Sequence, residues 1–160
     1  MSGANSNFHR AIGPRCDEAW SQCQNGNTET GFRMARLILL ESRLGDYHRA
    51  NMNLLLTKSG DHAVEHGEEA VRLYTRMLEI ARAEARHGIV SHLEGVLQQA
   101  RDWLKTAQEQ KAEEDKRWEN MTAEQIQKAK IKEMPAYHSE EEDEQAEKQA
   151  DTRPSGTMPI

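Results

Sequence analysis

The residues of this chain whose types and spacing come nearest to catalysis are His62-Ala63-Val64-Glu65-His66. Histidines four positions apart share one face of a helix, where two imidazoles can chelate zinc. Glu65 lies between them, where a carboxylate can take the proton of a metal-bound water. A zinc hydrolase also needs a third protein ligand and a substrate cleft. The downstream carboxylate Glu142 falls in an acidic tail, where nothing in the sequence would hold it. The pattern therefore predicts that His62 and His66 occupy the exposed first turn of a helix. No catalytic residue, metal ligand or cofactor is assigned.

The other reactive side chains converge less. Cys16, Ala19, Trp20 and Cys23 fall at i, i+3, i+4 and i+7. Two helical turns separate the thiols by roughly 10 Å, whereas a disulfide needs Cα atoms within about 7 Å. Reduced thiols on a buried helix face are expected. His87 and His92 are five apart and share a face poorly. No glycine-rich phosphate loop, nucleophile elbow or Walker pattern occurs, so no enzymatic activity is expected. Trp118 follows the nearly all-charged run Lys111–Arg117. A large aromatic among charges can anchor an interface, because it buries much area. Tyr47, Tyr74, Trp103 and Trp118 are the partner-binding candidates.

Helices must position all of these. Ala63, Gly67, Ala70, Tyr74, Met77, Leu78, Ala81 and Ala85 recur at steps of three and four, the period of one helix face. Ile89, Leu93, Val96, Leu97, Ala100, Leu104 and Ala107 form a second such stripe. Asp61 suits the N-cap of the first helix, and Gly88 suits the left-handed residue that ends it. The short connection predicts an antiparallel pair. Upstream, Gly13-Pro14 places proline at a first helical position, and Asn25-Gly26-Asn27, Gly45 and Ser59-Gly60 punctuate the chain. The predicted helices span 14–24, 30–44, 46–58, 61–87 and 89–117. Thr122-Ala123-Glu124-Gln125 reads as a capping box, starting a short helix or linker over 118–134. Residues 1–13 and the acidic segment 135–160 read as disordered. No two-residue period of a β-strand runs for any useful length. The expected fold is all-α: an antiparallel helical bundle or short helical array of about five helices over 14–117.

Composition narrows the function classes. The 160 residues are 36% hydrophobic and 5% aromatic, with a mean hydropathy of −0.91. No apolar run reaches the 18 or so residues of a membrane span, and the N-terminus lacks the apolar core of a secretory signal. A cytoplasmic or nuclear location is expected. Net charge is −6, and from Pro135 onward seven acids face two bases. The remainder is nearly neutral, whereas a nucleic-acid binder needs a basic stripe. No nucleic-acid partner is expected. The tail can solubilise the chain, shield a basic surface or meet a basic partner.

Two segments resemble the tetratricopeptide repeat, within a likeness that extends over residues 34–110. Leu44-Gly45-Asp46-Tyr47-His48-Arg49-Ala50 resembles the turn into that repeat's second helix, and Gly67 through Ala81 resembles the second helix itself. The spacing departs from the family: Ala50 and Ala70 are 20 residues apart, where tandem repeats need about 34. One repeat and a degenerate one fit. The same segment, with Leu93 through Lys105, is similar to the last two helices of microtubule-interacting-and-transport domains, which are three-helix bundles that bind short helical tails. Both resemblances imply helix-on-helix recognition. His62–His66 resembles the H-x-x-E-H motif of inverted zinc proteases.

The expected function is a non-enzymatic protein–protein interaction or adaptor module that binds a partner helix or peptide in a groove between amphipathic helices. The alternative is a structural subunit of a homo- or hetero-oligomer, in which Leu39, Leu40, Leu54–Leu56 and Trp103 bury against another chain. A zinc-dependent hydrolase at His62, Glu65 and His66 is the third.

Overall fold

The first helix begins well upstream of the start that Pro14 suggests. In the computed structural model, which describes residues 3–133, α1 runs Gly3–Gln24 with Pro14 in its interior. This corrects the disordered segment expected over 1–13 for the residues described. The physical reason is Ile12, which is 1% exposed and carries the stripe of Cys16 and Ala19 one turn upstream. An interior proline costs about 3 kcal/mol relative to alanine. Burying an isoleucine side chain returns roughly 1.5–3 kcal/mol. The two are of similar size, so the helix continues across the proline.

The chain then forms α2 (Thr28–Leu39), α3 (Asp46–Leu56), α4 (Ala63–Ala83) and α5 (His87–Glu119). These with α1 make the first compact unit, up to Arg117. The fold is all-α, with no strand among the described residues. No helix among them is long and apolar enough to cross a membrane.

Several boundaries differ from the sequence reading. α2 ends at Leu39 rather than 44. Leu40 swings outward at 79% exposure, and Leu44 returns to the core from a turn, its N–H donating to the Glu41 carbonyl at 3.2 Å. Asp61 does not cap α4. Its carboxylate meets Arg36 at 3.2 Å, and His62 takes the N-cap position at φ 50. Gly88 does not end α4 either, because it lies in the first turn of α5. The left-handed residue is Ala85, at φ 53. The Arg86 N–H donates to Ala81 O at 2.8 Å and the Ala85 N–H to Arg82 O at 3.2 Å, the Schellman pattern. The same pattern closes α1, with a glycine in the left-handed place: Gly26 at φ 90, Asn27 N–H to Gln22 O and Gly26 N–H to Cys23 O.

The core lies in two parts that share α3. Ala50 and Leu54 face Ala70, Leu73, Tyr74 and Leu78 of α4 and Leu93, Leu97 and Ala100 of α5. Met52, Leu55 and Leu56 face Ile12, Cys16 and Ala19 of α1 and Ala35 and Ile38 of α2. Leu54–Leu56 are therefore core residues of this chain, not surface held for another. Trp20 packs against both parts, and its indole N–H donates to Asn51 Oδ1 at 3.0 Å. α1 and α2 approach closely at Gly31. A Cβ there would lie 2.6 Å from the Ala19 carbonyl oxygen and would overlap Cys23 Sγ. α4 and α5 run antiparallel: Gly67 faces Leu104 at one end, and Arg82 meets Glu94 at 2.7 Å at the other.

The second compact unit starts at Trp118. It contains α6 (Ala123–Glu133). The predicted capping box forms there. The Thr122 N–H donates to Gln125 Oε1 at 2.9 Å, and the Gln125 N–H donates to Thr122 Oγ1 at 3.4 Å. The acidic segment expected over 135–160 lies outside the described residues.

Candidate functional site

The turn at Ala85 folds the first turns of α5 against the last turns of α4 and leaves an apolar cleft between them. Met77, Ile80 and Ala81 come from α4, Arg86 from the turn, Ile89, His92 and Leu93 from α5, and Tyr47 from the start of α3. The cleft holds about 390 Å³, within the range of sites that accept a small molecule or a few apolar side chains. Ile80 is 43% exposed and Ile89 44%. Ile80 is carried to the surface because it falls between the α4 core positions Leu78 and Ala81.

Tyr47 closes one side. Its hydroxyl lies 2.9 Å from His92 Nε2, a hydrogen bond that ties α3 to α5 across the cleft. Burial, and secondly the charge of Asp17, hold its phenol above the ordinary tyrosine range. Tyr74 lies beneath it, ring edge to face, with centroids 6.4 Å apart. At 1% exposure Tyr74 is part of the core and offers no surface to a partner. This corrects its place among the partner-binding candidates: the steps that put it on a stripe put it on the buried stripe. Burial, with Tyr47 second, raises its phenol pKa.

Trp103 is half-buried inside the first unit. Its ring packs against Trp20 with centroids 6.0 Å apart, and Lys58 Nζ sits 3.8 Å above its centroid. An ammonium over an indole face is a favourable cation–π arrangement, so this surface is already occupied by the chain's own lysine. Trp118 is half-buried at the start of the second unit, where its carbonyl accepts from the Met121 N–H.

The histidine pair divides. His62 is exposed, with Nδ1 4.0 Å from Glu65 Oε1. His66 turns onto α3, where Nδ1 lies 2.8 Å from Asn53 Oδ1. Asn53 Nδ2 donates to the Arg49 carbonyl at 2.9 Å, so Oδ1 accepts and His66 Nδ1 carries the hydrogen. Burial lowers the His66 pKa, and the charges of His62 and Arg36 add to that. Glu65 is exposed, and its carboxyl is held below the usual range first by its own backbone N–H. Glu65 and His62 border a more polar cleft with Lys111, Glu114 and Asp115 of α5. Among the described residues no group of three or more His, Cys, Asp or Glu is placed to hold a metal ion. Cys16 is buried, and burial with Asp17 pushes its thiol up to about 11. Cys23 is half-buried, and burial raises its thiol too.

Of the cleft residues, Tyr47 alone stands out in the sequence as a partner-binding candidate. In the sequence Ile89 falls on a core stripe, and Ile80 on none. The available signal was Ile80 itself, an isoleucine between Glu79 and the next core position. Arg86 and His92 carried no signal, because their convergence depends on the turn. The chain matches no family model, no curated protein and no solved structure.

Proposed function

We propose that this chain is a non-enzymatic interaction module that receives the apolar side chains of a partner helix in the cleft between the end of α4 and the start of α5. The observation that carries this reading is the cleft itself, in which Ile80 and Ile89 stand half-exposed beside Met77 and Leu93. Exposed isoleucines beside a shaped apolar hollow cost solubility unless something covers them. A helix in a groove is recognised by side chains at i, i+3, i+4 and i+7, whose span suits a cleft of this size. The tetratricopeptide and microtubule-interacting-and-transport likenesses of the same segments agree with helix-on-helix recognition.

The test is selection of displayed helical peptides, about 14 residues long with apolar anchors at those positions, against the full chain, followed by counter-screening on Ile80→Asp and Ile89→Asp. Enriched peptides that lose binding to both variants support the reading. Enrichment that ignores both variants, or none at all, overturns it.

A second reading is a structural subunit of an oligomer. Leu37 at 54% and Leu40 at 79% exposure, at the end of α2, favour it. Sedimentation at several concentrations tests it: an obligate assembly stays associated on dilution and falls apart with Leu37→Glu and Leu40→Glu.

A further inference from the structure

Resting on that groove reading, we infer that the occupant of the cleft is an acidic amphipathic helix, whose apolar side chains fill it while a flanking carboxylate meets Arg86. The lining supplies the first argument. Apart from Tyr47, the ionisable residues that border the cleft are Arg86 and His92, and no carboxylate is among them. An apolar floor with a guanidinium at its edge selects partners by charge as well as by shape.

Local polarity points the same way. Arg86 precedes the first residue of α5, and the first turn of that 33-residue helix holds no acidic side chain. The amino end of a helix carries a positive partial charge, which an acid in its first turn would offset. Here that charge and the guanidinium have the same sign and lie together at the edge of the cleft.

Arg86 can also be recruited at little cost. Its partner in the free chain is Glu84, at 3.6 Å, and both side chains are more than half exposed. Such a pair is worth little in water. A carboxylate delivered on a docked helix, next to buried apolar anchors, meets a less screened guanidinium and displaces Glu84. By contrast, Arg82 on the neighbouring turn is held by Glu94 at 2.7 Å, which leaves Arg86 as the reading group. His92 is engaged with Tyr47, so it shapes the wall rather than grips the acid.

The experiment uses the full chain and two synthetic helices with the same apolar anchors, one flanked by glutamate and one by lysine. Binding is measured by fluorescence anisotropy. The glutamate helix is expected to bind roughly tenfold more tightly at about 50 mM salt, with the gap closing above about 0.5 M. Arg86→Glu is expected to reverse the preference, and Arg86→Gln to abolish it. Equal binding of the two helices, or tighter binding of the lysine helix, with both lost in Ile80→Asp, overturns the acidic partner and leaves the groove intact. Binding unaffected by Ile80→Asp and Ile89→Asp overturns the groove, and the acidic partner with it. If the wild-type chain self-associates and Ile80→Asp abolishes that, the occupant is a second copy and the inference is wrong. Far-UV circular dichroism of each variant confirms that the helices persist.

Discussion

A methyl group at Gly31 should destabilise the first unit more than an alanine substitution at any other helical glycine described with it. The Cβ would sit 2.6 Å from the Ala19 carbonyl oxygen and 3.1 Å from the Cys23 backbone nitrogen, and it would overlap Cys23 Sγ. The thiol can rotate aside, but the α1 backbone cannot move without shifting the contact of α1 with α2. Overpacking of this kind costs about 1–3 kcal/mol, and a backbone obstacle places Gly31 at the upper end. The better helix propensity of alanine returns up to about 1 kcal/mol. The net loss is about 2 kcal/mol, which lowers the melting temperature by roughly 8 °C for a unit of this size. Gly95 is the internal control, since it lies in α5 with nothing within 4 Å of its would-be Cβ. Gly95→Ala should stabilise by about 0.5–1 kcal/mol. Gly67→Ala, which meets Leu104 Cδ1 at 3.0 Å and Thr57 Cγ2 at 3.2 Å, should fall between the two. The assay is urea unfolding followed by circular dichroism, comparing midpoints at constant slope. Adding Cys23→Ala to Gly31→Ala should recover part of the loss, because it removes the sulfur and leaves the carbonyl. A Gly31→Ala protein as stable as Gly95→Ala would refute the close approach of α1 and α2.

Other outcomes follow from the same structure. Ala85→Gly should raise stability by about 1 kcal/mol, since alanine at φ 53 bears a left-handed penalty that glycine escapes, whereas Gly88→Ala should be tolerated; urea midpoints measure both. His66 has a lowered folded pKa, so in acid the unfolded chain takes up this proton before the folded one. The neutral imidazole's stabilising share is therefore present above the ordinary histidine pKa and lost as pH falls through the folded value. Urea midpoints near pH 7.5 and pH 5.5 should differ more in wild type than in His66→Gln. Cys16, with its thiol pushed up to about 11 and its side chain buried, should resist alkylation near pH 8 in the native chain and react once urea unfolds it; labelling read by mass spectrometry distinguishes it from Cys23.

Helix content and the antiparallel α4–α5 pair were legible because their apolar residues recur at helical steps over many turns. The α6 capping box was legible for the same kind of reason: its signal is complete within four residues. The features that are not legible depend on contacts distant in the chain. Pro14 looks like a helix start until Ile12 is seen to be buried against α2 and α3. Gly88 looks like a helix stop, but the packing of α5 against α4 sets the reversal three residues earlier and imposes it on an alanine. Leu44 reads as helical, yet it reaches the core from a turn. The cleft needed both flanking helices in place before Ile80, Arg86 and Ile89 became one surface. Tyr74 and Tyr47 look alike as aromatic candidates, and only the third dimension puts one below the other.

The two-faced burial of α3 has a consequence for how the unit can be divided. Severing the chain at Ser59-Gly60 would leave one piece with α1, α2 and α3 and another that begins with α4 and continues into α5. The first piece would keep Met52, Leu55 and Leu56 covered but expose Ala50 and Leu54, while the second would bare Ala70, Leu73 and Leu78. Each bared face is the cover of the other, and Trp20 and Trp103 would meet again across the cut. Neither half hides its own apolar surface, so the two should reassemble in trans at the cost of joining two molecules, which makes this small helical unit a natural split protein.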